Sequence, residues 1–293
     1  QAATQLRIKG GFESRGETVR AGVPAAFHAW PADAPLNRLG LARWLVSPEN
    51  PLAARAAVNR LWDALFGRPL VQTPEDLGSQ APPPLFPELL DWLATEYVRL
   101  GWSQKALLRV IVASAAYQRS SAVSRDPLSR DPQNRYYSRG PRFRLEAEAI
   151  RDVHLAAGGL LSRKIGGPSV FPLQADTSGA VAINKTDMSW KPSPGEDRHR
   201  RGLYTHWRRT APFVAFTLFD APTREQCCVR RARTNTPLQA LSGLNDPAAF
   251  EAAQALGRRM AAAPGGDRDR LLFGFRLCTS SSTRSPATGR RSC

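Results

Sequence analysis

The sequence has little cysteine, histidine or lysine, and it has no long apolar run. No stretch approaches the roughly 20 apolar residues that a membrane-spanning helix needs, so no membrane span is predicted in this segment. Four cysteines in 293 residues, without CxxC or CxxCH spacing, do not indicate a disulfide scaffold or haem attachment. The four histidines show neither HxH nor HExxH spacing, so no metal site is predicted.

The chain is strongly basic, with 41 arginines and lysines against 25 aspartates and glutamates and a net charge of +16. Such a charge favours a polyanionic partner: a nucleic acid, an anionic glycan or a membrane surface. Only five of the basic residues are lysine, and an arginine bias can also follow from codon usage. Because the charge is spread along the chain and is not gathered into one basic run, a dedicated nucleic-acid binder is not expected.

The spacing of apolar residues predicts a mainly α fold, a multi-helix domain with a small N-terminal β element and long irregular loops. We predict an N-terminal β element and Pro-rich connector over 1–35 and a helical domain over 36–262. A truncated or frayed tail is predicted over 263–293. Residues 203–219 are rich in aromatic side chains and are predicted to be extended or a strand.

Most of the candidate ligand-binding residues lie in one segment, residues 198–246, which we call the arginine block. Nine arginines and no lysine occur between positions 198 and 233. Arginine forks bind sulfate, carboxylate or phosphate groups, aromatic rings stack on sugars or bases, and amides supply polar contacts. The candidate ligand-binding residues are Arg208, Arg209, Arg230, Arg231, Arg233, Trp207, Tyr204, Asn235 and Gln239.

The alternative interpretation of the arginine block is structural. Its arginines would pair with nearby carboxylates and fix an irregular segment onto the helices. Acidic residues of sufficient number are available for this, which favours the structural interpretation without excluding a ligand. They are Glu146, Glu148, Asp152, Asp220 and Glu225.

Two carboxylates, Glu148 and Asp152, are the candidate acid/base residues. They lie at positions i and i+4 and therefore share one face of a predicted helix, as paired carboxylates in hydrolysis require. Glu146 lies far around the same helix and is not expected to join them. The alternative is simple pairing with arginine or exposure at the surface.

Ordered motifs over most of the chain carry a family resemblance. The motifs are NRLGLARWLVSPENPLAARAAVNRLWDALFG, PELLDWLATEYVRLGWSQKALLRVIVASAAYQRSS, RFRLEAEAIRD, IGGPSV, RRGLYTHWRRTAP, FDAPTREQC and RRARTNTPLQALSGLNDP. In this order they resemble the planctomycete PSD-one domain, domain of unknown function 1553, from about residue 36 to residue 260. The sequence after position 280 departs from the family pattern, so a truncated end is expected.

The resemblance implies a setting but no activity. It implies the C-terminal part of a large exported protein, placed extracytoplasmically or at the cell surface. It also implies an upstream cytochrome-c-like domain as partner, so any haem belongs there and no cofactor is expected in this segment. Three functions stay open: binding of acidic polysaccharide through the arginine block, an enzyme acting on polysaccharide coupled to the haem domain, and a structural scaffold without a ligand.

Overall fold

The computed structural model describes residues 4–9, 13–78, 80–122, 129–174, 190–209 and 211–279. Within these ranges the chain forms nine α-helices and one two-stranded sheet. The predicted mainly α fold with a small N-terminal β element is therefore confirmed. The chain divides into two compact units, Gln1–Arg142 and Phe143–Cys293.

The described residues of the first unit form the sheet and four α-helices of stated bounds. Strand β1 (Thr4–Arg7) pairs antiparallel with β2 (Arg15–Val19). The register of this pairing shifts between Gln5 and Arg7. The helices of this unit are α1 (Arg38–Leu45), α2 (Ala53–Phe66), α3 (Pro87–Arg99) and α4 (Gln104–Val112).

Local sequence sets the ends of these helices. The side-chain oxygen of Asn37 caps α1 by accepting hydrogen bonds from the amides of Leu39 at 3.0 Å and Gly40 at 3.2 Å. Gly67 ends α2 with a φ of 70°, a left-handed conformation that glycine adopts without strain. Capping residues of the expected type therefore define both helices.

An apolar core holds α2, α3 and α4 together. The buried Asn59 also belongs to this region. Its side-chain NH2 group donates a hydrogen bond to the carbonyl oxygen of Val71 at 3.1 Å, and its side-chain oxygen accepts one from the Val71 backbone N–H at 2.9 Å. These two bonds satisfy a polar side chain inside the core and fix the segment that follows α2. The core side chains contributed by the three helices are Val58, Trp62, Phe66, Leu90, Leu93, Tyr97, Leu107 and Ile111.

In the second unit, the described residues form five α-helices and two short 3-10 helices. No strand occurs among the described residues of the segment 203–219, and Val214–Leu218 within it is helical. A helical turn there directs Phe213 and Phe216, three residues apart, into one core. The 3-10 helices are Gly195–His199 and Gly202–Tyr204. The α-helices are α5 (Ala147–Gly158), α6 (Val214–Leu218), α7 (Pro237–Asn245), α8 (Pro247–Ala261) and α9 (Asp267–Thr279).

Helices α5 and α8 pack closely through small residues. A Cβ atom added to Gly158 would lie 2.8 Å from the carbonyl oxygen of Ala252 and 3.4 Å from the Cβ of Ala255. Such a short approach is open only to small side chains at the crossing point. This contact fixes α5, which carries the candidate acid/base residues, against α8.

Helix α9 lies within the segment predicted as a frayed or truncated tail, whereas residues 280–293 lie outside the described residues. Residues 175–189, in the predicted irregular stretch before the arginine block, also lie outside them. Over the ranges that the structure describes, no helix is both long enough and apolar enough to cross a membrane. The predicted boundaries at 35 and 262 stay predictions.

Candidate functional site: the arginine block on helix α5

Helix α5 presents its first carboxylates to Arg231. The guanidinium of Arg231 forms a two-pronged pair with Glu148, at 2.7 Å from Nη1 to Oε2 and 3.2 Å from Nη2 to Oε1. Nη1 also lies 3.2 Å from Oε2 of Glu146. The expectation that Glu146 stays apart from Glu148 is therefore wrong. Glu146 precedes the helix with extended backbone angles, φ −70° and ψ 156°, so helical periodicity does not apply to it.

One turn further along α5, Asp152 binds a different part of the arginine block. Its Oδ2 accepts a hydrogen bond from Nε of Arg201 at 3.2 Å, and its Oδ1 accepts from the amide of Gly202 at 2.6 Å. A Cβ atom on Gly202 would lie 2.7 Å from the carbonyl oxygen of Glu148, so the block lies directly on the helix backbone. Glu148 and Asp152 share a helix face, as predicted, but each binds its own arginine.

The environment of Glu148 favours its charged form. Burial raises the pKa of this carboxyl, but hydrogen bonds from Arg231 and from a backbone amide, with the charges of Arg231 and Arg224, outweigh burial and hold the pKa below its usual value. A general acid needs a raised pKa near the working pH. The geometry therefore suits an ion-pair partner better than a proton donor.

Arg200 is buried and organises a loop of glycines and proline. Its guanidinium donates to the carbonyl oxygens of Pro168 at 3.1 Å, Lys164 at 3.4 Å and Gly166. It also lies 3.8 Å from the ring centroid of Tyr204, whose hydroxyl accepts a hydrogen bond from the Gly166 amide at 2.9 Å. Tyr204, a predicted stacking residue, thus has an internal partner on its ring and another on its hydroxyl.

The arginine block is also tied to helix α8. Nη2 of Arg198 lies 2.7 Å from Oε1 of Glu251, and Nε2 of His199 lies 3.1 Å from the other carboxylate oxygen. One carboxylate on α8 thus holds two neighbouring residues of a 3-10 helix. This contact fixes the start of the block independently of α5.

Trp207 belongs to a small aromatic cluster. It packs beside the buried Phe213 and Phe216, and the guanidinium of Arg224 lies 4.5 Å from its ring centroid. Two further candidates make similar contacts, with Arg208 at 5.6 Å from the Phe171 ring and Arg233 at 4.5 Å from the Phe143 ring. These arginines contact aromatic rings at distances typical of cation–π pairs.

The two candidate amides contact other parts of the chain. Gln239 is buried, donates to the carbonyl of Leu218 at 2.9 Å and accepts from the amide of Thr236 at 3.2 Å. With Thr236 it forms a capping box at the start of α7. The side-chain oxygen of Asn235, an exposed residue, accepts a hydrogen bond from Arg144. Among the other candidates, Arg209 and Arg230 are exposed.

The chain was compared with known proteins and families. A family model described as "Protein of unknown function (DUF1553)", PSD1, matches residues 37–289. The chain belongs to the DUF1553 family. This confirms the resemblance carried by the ordered motifs. Neither the curated proteins nor the solved structures contain a match.

Within the described parts of this DUF1553 domain, no three histidine, cysteine, aspartate or glutamate side chains converge as a metal ion would require. Sequence reasoning missed a different cluster, in which Arg151, His154 and Asp246 line a pocket. A signal was available, because Arg151 lies four residues from Ala147 and four from Leu155, and both are buried. A charged residue in the middle of an apolar helix face indicates a special environment.

Proposed function

We propose that this DUF1553 domain is a non-catalytic module that binds acidic polysaccharide through the basic surface of its second unit. The observation that carries the proposal is a charge excess that internal pairing cannot absorb. The unit Phe143–Cys293 has 23 arginines and lysines against 13 aspartates and glutamates. If every carboxylate paired with one cation, ten positive charges would remain to attract a polyanion.

The arginines of the block fall into two groups: framework residues, whose terminal nitrogens bind carboxylates of the chain, and surface residues, whose side chains are largely exposed to solvent. Arg231 uses both of its terminal nitrogens on carboxylates and belongs to the framework. Arg201 gives only Nε to Asp152, and its side chain is 55% exposed. Arg209 and Arg230 are exposed as well. Exposed guanidinium groups bind sulfate and carboxylate oxygens in pairs, so these three residues are the proposed contacts.

The competing function, an enzyme acting on polysaccharide, has less support from the geometry. Glu148 has a lowered pKa, and Asp152 accepts hydrogen bonds from Arg201 and Gly202. Both carboxylates thus stabilise the arginine block. The proposal includes an extracytoplasmic or cell-surface location, where acidic polysaccharides occur and where the family resemblance places such domains.

The test is binding of the intact domain to a sulfated and to a uronic polysaccharide, measured by calorimetry over a series of NaCl concentrations. We expect binding that weakens steeply with salt, because it releases counterions from the polymer. The double variant Arg209→Ala, Arg230→Ala is expected to bind roughly 5- to 30-fold more weakly, since each exposed charge contact contributes about 0.5–1 kcal/mol.

The matched control is the double variant Arg43→Ala, Arg109→Ala, which removes two exposed arginines from the first unit. Because the change in net charge is the same, unchanged binding in this control would assign the contact to the second unit. An equal loss in both double variants, salt-independent binding, or stronger binding to single-stranded DNA would contradict the proposal. Turnover of the polymer that is lost in Glu148→Gln would instead support the enzyme.

A further inference from the structure

Helices α5, α6 and the junction of α7 with α8 line a small, partly open pocket with a volume of about 40 Å³. A cavity needs about 10–15 Å³ of this kind for each water molecule, so the pocket has room for about three or four waters, a volume that four or five covalently bonded heavy atoms also fill. It cannot enclose a sugar ring. Its apolar walls include Ile150, Phe213 and Phe216, and its polar groups include Arg151, His154 and Asp246.

Arg151 has an incomplete set of partners. It is 8% exposed, and Nη2 donates to the carbonyl oxygen of Arg198 at 2.5 Å. Its Nε is buried without a hydrogen-bond partner. Among the described residues no carboxylate oxygen lies within 4.0 Å of its guanidinium. Burial lowers the pKa of Arg151 to about 10, against the attraction of more distant carboxylates.

The nearby carboxylates have other hydrogen-bond partners. Asp152 accepts from Arg201 and Gly202, and Glu251 accepts from Arg198 and His199. Asp246 is the N-cap of α8 and accepts from the first amides of that helix, at 3.0 Å each. These carboxylates attract Arg151 through space but make no direct contact with it. A buried charge without a contacting counter-ion is strongly unfavourable, and a bound anion would remove that cost.

We propose that this pocket binds a small monocarboxylate, of the size of acetate or glycolate, on the guanidinium of Arg151. The planar fork of arginine matches a carboxylate in two parallel hydrogen bonds, and one nitrogen of Arg151 lacks a partner. The apolar walls suit a methyl or methylene group. Asp246 lines the same pocket, repels a dianion more than a monoanion, and accepts a hydrogen bond from a ligand hydroxyl.

The test titrates the intact domain with sodium acetate and sodium glycolate by calorimetry, at an ionic strength held constant with NaCl. We expect a dissociation constant of about 1 mM for at least one of them, as suits a ligand of four or five heavy atoms. Thermal unfolding at 50 mM ligand is expected to shift upward by about 2–8 °C. Absence of binding up to 50 mM of both carboxylates would overturn the proposal.

Two variants locate the site. Arg151→Met keeps an apolar stem of similar length and removes the charge, so acetate affinity is expected to fall at least tenfold. Ala249→Leu keeps Arg151 and fills the pocket, which Ala249 lines, and the same loss is expected. If Arg151→Met fails to fold, the acetate affinity of Ala249→Leu still tests whether the pocket is the binding site. Unchanged affinity in a folded variant of either kind would overturn the assignment.

Arg163→Met serves as the matched control, because it removes an exposed arginine of the same unit that neither lines the pocket nor belongs to the proposed polysaccharide contacts. Its carboxylate affinity is expected to equal that of the wild type, and an equal loss would overturn the site. Sulfate binding as tight as acetate binding would also contradict a monocarboxylate site. This inference does not depend on polysaccharide binding, because Arg151 is buried and is not among the proposed polysaccharide contacts.

Discussion

Individual arginines of this DUF1553 domain differ in how their donors are used within the chain. Arg200 donates to three backbone carbonyls from a buried position, and Arg231 contacts two carboxylates. Arg209 lies at the surface. A guanidinium has five N–H donors in a fixed plane, so the same side chain can order an irregular backbone or bind a ligand. At this scale the local partners decide the role, which residue type alone does not reveal.

The pair between Arg231 and Glu148 predicts a pH-dependent contribution to stability. Because the folded-state pKa of Glu148 is lowered, the charged carboxylate stabilises the fold above its ordinary pKa of about 4.3, and this contribution disappears as the pH falls through the lowered value. Glu148→Gln is expected to reduce the free energy of unfolding by about 2 kcal/mol at pH 7. Urea unfolding at pH 7 and at pH 3 measures this loss.

The difference between wild type and Glu148→Gln should be smaller at pH 3 than at pH 7, because pH 3 lies below the ordinary pKa that the carboxyl has in the unfolded chain. The matched control is Glu225→Gln, an exposed carboxyl on the same block, which should change stability by less than about 0.5 kcal/mol. A loss that is equal at both pH values would show that the charge of Glu148 contributes nothing.

At the scale of elements, local chemistry predicted most of the helices and tertiary contacts decided the rest. Gly67 ends α2, and Thr236 with Gln239 starts α7, because a few neighbouring residues satisfy free backbone groups. Helix α6 was missed because five residues, Val214–Leu218, carry too little periodicity, and the packing of their aromatic rings determines the turn. The sharing of Arg231 by Glu146 and Glu148 and the burial of Arg151 were also missed, since both depend on residues distant in sequence.

The α5–α8 contact predicts opposite effects for two glycine-to-alanine changes. Gly158→Ala places a Cβ 2.8 Å from a backbone oxygen of α8, so the helices must separate and stability should fall by about 1–3 kcal/mol. Gly257→Ala lies within α8 and meets nothing within 4 Å. It should stabilise by about 0.5–1 kcal/mol through helix propensity. Urea unfolding compares them, and a loss in both or in neither would contradict the packing argument.

At the scale of the whole molecule, the net charge of +16 predicts that salt stabilises the protein. Ion pairs at the surface contribute about 0–1 kcal/mol each and weaken with salt, whereas screening relieves repulsion summed over the excess cations. Raising NaCl from 20 to 200 mM shortens the screening length to about 7–10 Å, so the Tm should rise by a few degrees. The Arg209→Ala, Arg230→Ala variant, two charges less positive, should show a smaller rise in the same scanning calorimetry. A Tm that falls with salt would mean that ion pairs such as Arg231 with Glu148 outweigh the repulsion, and the charge excess would then be a weaker basis for polyanion binding.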